Sequence, residues 1–150
     1  RKTTPGLRLF EKFAVVVGGG TNHRLNLASA IMLKDNHLFH TSSILKAVKS
    51  IKNSVSGKDI QVEADTADQI NQILESGATS ILLDNFKPKE LSEIIQKIRT
   101  HPKGKHIYVE LSGGITEETL DGFCISGVNG ISMGALTHNI KSVDISLDML

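Results

Sequence analysis

Apolar residues recur along this chain in two alternating rhythms, one helical and one extended. After Pro5, which suits a first-turn position, Leu7 to Val17 carry helical spacing. Ile31 to Lys34 is a short apolar run that reads as a buried strand. Ser42 or Ser43 is placed to cap a helix reaching Lys52, with Ile44, Leu45, Val48 and Ile51 on one face. A strand over Ile60 to Asp65 follows, then a helix from a Thr66 cap to Glu75, stopped by Gly77. Ile81 to Asp84 is the next strand, and Pro88 to Arg99 a helix with Leu91, Ile94, Ile95 and Ile98 as its stripe. Beyond a polar turn at His101 to Lys105, the pattern predicts a strand over Ile107 to Leu111. It then predicts a helix over Glu117 to Ile125, a strand over Gly130 to Met133 and a tail from Ser142 to Leu147.

Strands alternating with helices of this length predict an α/β fold with a parallel sheet and right-handed crossovers. The chain has 150 residues and no interdomain linker, so one domain fits. A complete eight-unit βα barrel usually needs about 250 residues, so that architecture is excluded.

In a parallel α/β fold the ligand site lies at the carboxyl ends of the strands, and here those ends are charged. Ile31-Met32-Leu33 runs into Lys34-Asp35-Asn36-His37, and Ile81-Leu82-Leu83 into Asp84-Asn85. Gln61, Glu63 and Asp65 share one face of their strand, opposite Ile60, Val62 and Ala64. Tyr108, Glu110 and Ser112 likewise share a face. A strand buried on both sides should be apolar throughout, so four charged ends together point to a polar cup over an aliphatic base. Two glycine turns add to it: Ser112-Gly113-Gly114-Ile115-Thr116, and Ser132-Met133-Gly134-Ala135 after the next strand. Backbone N–H groups at such turns cradle phosphate. Gly18-Gly19-Gly20 lacks the dinucleotide spacing.

Composition changes this picture little. Hydrophobic residues make up 39% and charged residues 22%, ordinary globular values that exclude disorder and a polyionic tail. With 17 basic against 16 acidic side chains, no whole-molecule charge draws the chain to nucleic acid or a membrane surface, and any anion site is local. No apolar run approaches the roughly 20 residues that span a bilayer, and no signal peptide is recognised. Cys124 is alone, which excludes an intrachain disulfide and favours a reducing, cytoplasmic setting. The local bases gather early, in Arg1-Lys2, His23-Arg24 and Lys34, and suit a compact polyanion. Lys46, Lys49, Lys52, Lys87, Lys89 and Lys103 read as solvated surface. His37 and His40 lack cysteine partners for a metal site, His101 and His106 read as exposed, and Cys124 reads as a filler late in a helix.

Seven motifs then occur in a fixed order. They are Arg-Lys-Thr-Thr-Pro-Gly-Leu-Arg (1–8), Gly-Gly-Gly-Thr-Asn-His-Arg-Leu (18–25), Lys-Asp-Asn-His (34–37), Val-Glu-Ala-Asp-Thr (62–66), Leu-Asp-Asn (83–85), Ser-Gly-Gly-Ile (112–115) and Ser-Met-Gly-Ala-Leu-Thr-His (132–138). The set resembles the nicotinate-nucleotide pyrophosphorylase (carboxylating), or quinolinate phosphoribosyltransferase, family. The resemblance implies an incomplete (β/α) barrel, since the family has an open seven-stranded barrel. It also implies a pentosyltransferase of NAD biosynthesis, which joins quinolinate to phosphoribosyl pyrophosphate (PRPP) with Mg2+ to give nicotinate mononucleotide, pyrophosphate and CO2.

By that resemblance, Arg1, Lys2, His23, Arg24 and Lys34 form the pocket for the quinolinate carboxylates. Glu63 and Asp84 hold the ribose hydroxyls and Mg2+. Ser112, Gly113, Gly114 and Gly134 grip the 5-phosphate, with His138 close by. The resemblance further implies that residues 1–150 lack the first barrel strand and an N-terminal α/β domain. A neighbouring subunit's copy of that domain would complete the site in a homodimer. Leu111, where the family more often has Ala, is a minor departure. Two rivals follow: a paralogue of molybdenum-transport operons, expected to keep the phosphate grip but alter the cationic pocket, and a non-catalytic phosphate-binding fragment.

Overall fold

Five parallel strands, side by side in their chain order, form the sheet of the computed structural model, which describes residues 2–24, 30–38, 43–55, 57–141 and 143–149. The strands are β1 (Ile31–Leu33), β2 (Ile60–Ala64), β3 (Ser80–Asp84), β4 (Tyr108–Ser112) and β5 (Gly130–Ile131). Helices α1 (Arg8–Val17), α2 (Asp35–Leu38), α3 (Ile44–Ser54), α4 (Ala67–Ser76), α5 (Pro88–Thr100) and α6 (Ala135–His138) surround them. Among the described residues β1 and β5 do not pair with each other, so the sheet is open, as an incomplete barrel requires.

Register settles what each face presents. Val62, Ile81 and Val109 stand side by side on one face, and Ala64, Leu83 and Leu111 follow two residues on. All six are fully or almost fully buried against Val48, Ile70, Ile73, Leu91, Ile95 and Ile98 of the helices. The opposite face is layered: Met32, Gln61 and Ser80 align, then Glu63, Leu82 and Glu110, then Asp84 with Ser112. Aliphatic burial on one side holds the sheet, while the other side carries polar groups toward the strand ends.

Local chemistry explains the element ends. Gln69 reaches back so that its side-chain oxygen accepts the backbone N–H of Asp65 and of Thr66, starting α4. Gly77 ends it at φ 78°, a left-handed stop. Pro88 sits in the first turn of α5. Ser43 caps α3 by backbone position, in extended conformation and without a side-chain bond; Ser42, the other candidate, lies outside the described residues. Leu45 is 42% exposed, so the buried side of α3 is Ile44 and Val48, with Ile51 partly covered.

Two expectations fail. The helix expected over Glu117 to Ile125 is a set of turns around a 3-10 segment, Leu120–Phe123. Thr119 and Asp121 carbonyls accept N–H groups three residues on, and the Thr119 hydroxyl accepts the Thr116 N–H, so the backbone bonds are satisfied locally. Gly122 in mid-segment weakens a helix further, by about 1 kcal/mol. As a consequence Cys124 is exposed and is no core filler. Strand β5 stops at Ile131, although Ser132 still donates its N–H to the Leu111 carbonyl. The tail over 143–149 has no regular element, and Ser142 lies outside the described residues. No described helix is long and apolar enough to cross a membrane.

Candidate functional site

A cavity of about 460 Å3 opens at the carboxyl ends of the strands. Its floor is Met32, Leu82, Glu110 and Ile131; its rim is Lys34, Ser112 and Ser132 to Gly134. Helix α1 and the segment after it, through Lys12 and Thr21 to Arg24, wall one side, and Lys2 and Thr137 another.

Four of the five cationic residues expected from sequence therefore converge. Lys2, His23, Arg24 and Lys34 all line this cavity, and Arg1 lies outside the described residues. Thr137 donates its hydroxyl to the Lys2 carbonyl, bringing the chain's start to α6. Arg24 is held by Nη1 to the Ala30 carbonyl at 3.5 Å and by Nη2 to Met32 sulfur at 3.4 Å. Lys34 Nζ reaches Glu63 Oε2 at 2.6 Å, a half-exposed ammonium on a buried carboxylate.

Glu63 does not line the cavity but borders it through Lys34. With Asp65 and Asp84 it brings carboxylate oxygens within 4.8 Å of one another, an all-oxygen set of the kind a hard divalent cation takes. Asp84 also accepts an N–H from Asn85 at 2.8 Å.

Ser112 and Gly134 line the cavity, and Gly113 and Gly114, at φ 106° and 60°, continue the turn from Ser112 just outside that lining. Gly113 is required sterically as well, because a Cβ there would sit 2.5 Å from the backbone nitrogen of Asn85. Asn85 itself adopts φ 60° and donates its N–H to the Ser112 carbonyl at 3.0 Å, locking the two turns together. His138 is exposed and outside the lining, stacked over Gly134, where a Cβ would meet its ring.

Sequence reasoning missed Lys12 and left Glu110 without a role. Among the described residues the buried charged side chains are Lys12, Glu63 and Glu110, and all three are at this site. Lys12 donates to the His23 carbonyl at 3.1 Å, and Asn22 Nδ2 donates to the Lys12 carbonyl at 2.9 Å. Nothing in the helical spacing separates this lysine from a solvated one. Glu110 accepts Gln61 Nε2 at 2.6 Å, His23 Nε2 at 3.3 Å and the Ser132 hydroxyl. Burial works to raise the Glu110 carboxyl, but the hydrogen bonds from His23, Ser132 and Gln61 outweigh it and hold the group below the usual carboxylate range. Its alternation with buried Val109 and Leu111 was the signal available.

None of the discounted histidines among the described residues lines the cavity. His101 Nε2 lies 3.3 Å from Glu75, His106 is exposed, and His37 Nδ1 accepts the Lys34 N–H at 3.1 Å; His40 lies outside the described residues.

Compared with known proteins, residues 1–148 match the family model described as quinolinate phosphoribosyl transferase, C-terminal domain. The nicotinate-nucleotide pyrophosphorylase (carboxylating) of Dictyostelium discoideum is 42% identical over 98% of this chain and 49% of its own length. The Homo sapiens protein of the same name is 39% identical over 99% of this chain and 50% of its own length. The crystal structure of NadC from Streptococcus pyogenes superposes with a TM-score of 0.89 at 38% identity, covering 99% of this chain and 51% of that one. The chain thus spans about half the length of the curated relatives it matches.

Proposed function

Because the chain belongs to the quinolinate phosphoribosyl transferase family, as its C-terminal domain, we propose that the protein transfers the phosphoribosyl group of PRPP to quinolinate. The products are nicotinate mononucleotide, pyrophosphate and CO2. The observation that carries this reading is the convergence of Lys2, His23, Arg24 and Lys34 on one cavity beside two glycine turns.

Each group has a task in that chemistry. Arg1, Lys2, His23, Arg24 and Lys34 bind the two quinolinate carboxylates and orient the ring nitrogen toward the sugar. Ser112, Gly113, Gly114 and Gly134 hold the 5-phosphate through hydroxyl and backbone N–H donors, with His138 at the edge. As the bond from the anomeric carbon to pyrophosphate breaks, positive charge builds on the sugar, and Glu63 and Asp84 stabilise it while binding the ribose hydroxyls. The ring nitrogen attacks that carbon and becomes cationic. The neighbouring carboxylate then leaves as CO2, its electron pair staying on the ring carbon next to the cationic nitrogen until a proton replaces it. No side-chain nucleophile is needed.

The acidic set suits Mg2+, for which Glu63 and Asp84, with Asp65 beside them, are the protein ligands in this reading. Bound there, the ion would supply positive charge to offset that of the pyrophosphate leaving group. The working unit in this reading is a cytoplasmic homodimer, the site completed by a neighbour's N-terminal domain. The apolar residues Leu9, Phe10 and Phe13, exposed on α1, support a covered surface there.

Full-length protein incubated with quinolinate and PRPP should release CO2 and form nicotinate mononucleotide; absence of both products would refute the assignment. A quinolinate isotherm separates it from the molybdenum-operon paralogue, whose pocket should not retain His23, Arg24 and Lys34. The 150-residue chain alone is expected to bind phosphate without turnover.

A further inference from the structure

Glu110 has no role in the chemistry above, yet it is among the most constrained side chains of the site. The residue is 6% exposed, and both carboxylate oxygens are engaged. An ionised carboxylate so deep is costly unless its hydrogen bonds are complete, and a carboxylate on the floor of an anion site opposes the charge of the ligand. Both facts demand a compensating role.

The partners supply it. Gln61 and Ser132 anchor the carboxylate from β2 and from the residue after β5, so it cannot swing. Its third partner is His23 Nε2 at 3.3 Å. The other nitrogen of that ring, Nδ1, accepts the Arg24 backbone N–H at 2.9 Å. With Nδ1 accepting, the ring proton sits on Nε2 and is directed to Glu110. Lys12 meanwhile clamps the His23 carbonyl from beneath α1. The segment carrying His23 and Arg24 has no regular secondary structure, so these bonds take the place of an element.

We propose that Glu110 is a positioning residue of this site, fixing the His23 ring, and with it Arg24, in the orientation that receives a carboxylate of the dianionic substrate. This rests on the assignment of His23 and Arg24 to the quinolinate pocket. It extends the site from groups that touch ligand to a buried acid that sets their geometry.

The sign of one substitution separates this role from that of a merely buried acid. Glu110→Gln removes a negative charge from an anion site, so without a positioning role it leaves quinolinate affinity unchanged or improves it. With the role, affinity falls roughly tenfold, within the range that misplaced binding groups produce. The measurement is quinolinate binding by calorimetry with full-length protein, in wild-type and His23→Ala backgrounds. The expected result is a tenfold loss in the first and less than a twofold change in the second. Unchanged or tighter binding in the first background, or an equal loss in both, overturns the proposal. Should Glu110→Gln not fold, Gln61→Met removes the other anchor from behind the cavity. A loss of about threefold that appears only with His23 present supports the role, and no loss overturns it. Failure of wild-type protein to bind quinolinate at all would instead strike the functional assignment.

Discussion

Gly113, Glu110 and Lys34 illustrate how single residues constrain this site in different ways. Gly113 combines φ 106° with no room for a Cβ beside Asn85. Gly113→Ala should therefore lose about 1–3 kcal/mol of stability, read as a lowered urea midpoint, and weaken PRPP binding. Glu110 is held below the usual carboxylate range in the folded chain. It thus contributes stability above the unfolded glutamate value of about 4.3, which is lost as pH falls through its lower folded value. Acid titration should show a steeper loss below about pH 4 for wild type than for Glu110→Gln; parallel curves would contradict this. Lys34→Met leaves the buried Glu63 carboxylate without its ammonium partner. A loss of about 1–3 kcal/mol is expected, largely restored by adding Glu63→Gln. At this scale the sequence displayed every candidate except Lys12, whose burial depends on what α1 covers.

Elements were legible where one face of a periodic segment meets the sheet. The stripe Leu91, Ile94, Ile95 and Ile98 of α5 is buried as its spacing requires, Ile98 completely. Ile98→Ala should cost about 2–5 kcal/mol in equilibrium unfolding without altering ligand affinity in the folded protein. The segment Glu117 to Ile125 was not legible, because its Thr and Asp groups satisfy the backbone in tight turns that hydrophobic spacing does not report. Helices α2 and α6, four residues each, are too short to carry a period. Helix α1 was found, but its orientation was not: Leu9, Phe10 and Phe13 face outward at about 70% exposure, while Lys12 is buried.

For the whole molecule, this inversion has a consequence. Large exposed apolar groups on one helix favour self-association of the 150-residue chain. The double change Phe10→Ser with Phe13→Ser should alter its folding stability by less than about 0.5 kcal/mol, since both side chains are exposed. Sedimentation should show the variant more nearly monomeric; unchanged association would locate the sticky surface elsewhere. The near-neutral charge of +1 leaves no global field, so ligand attraction arises from the local cluster of bases at the cavity.

The sequence by itself determined the alternating α/β plan, the strand ends on which the site is built and the family, because period and motif are local properties of the chain. The tertiary structure alone decided which of these residues meet. Glu110 and His23 stand 87 positions apart and Lys34 and Glu63 stand 29; the parallel register of β1 and β2 brings the second pair together, and the segment following α1 brings His23 to Glu110. Burial of Lys12, the orientation of α1 and the ionised state of Glu110 were decided there too, since each depends on neighbours contributed by distant segments rather than on the residue's own surroundings in the chain.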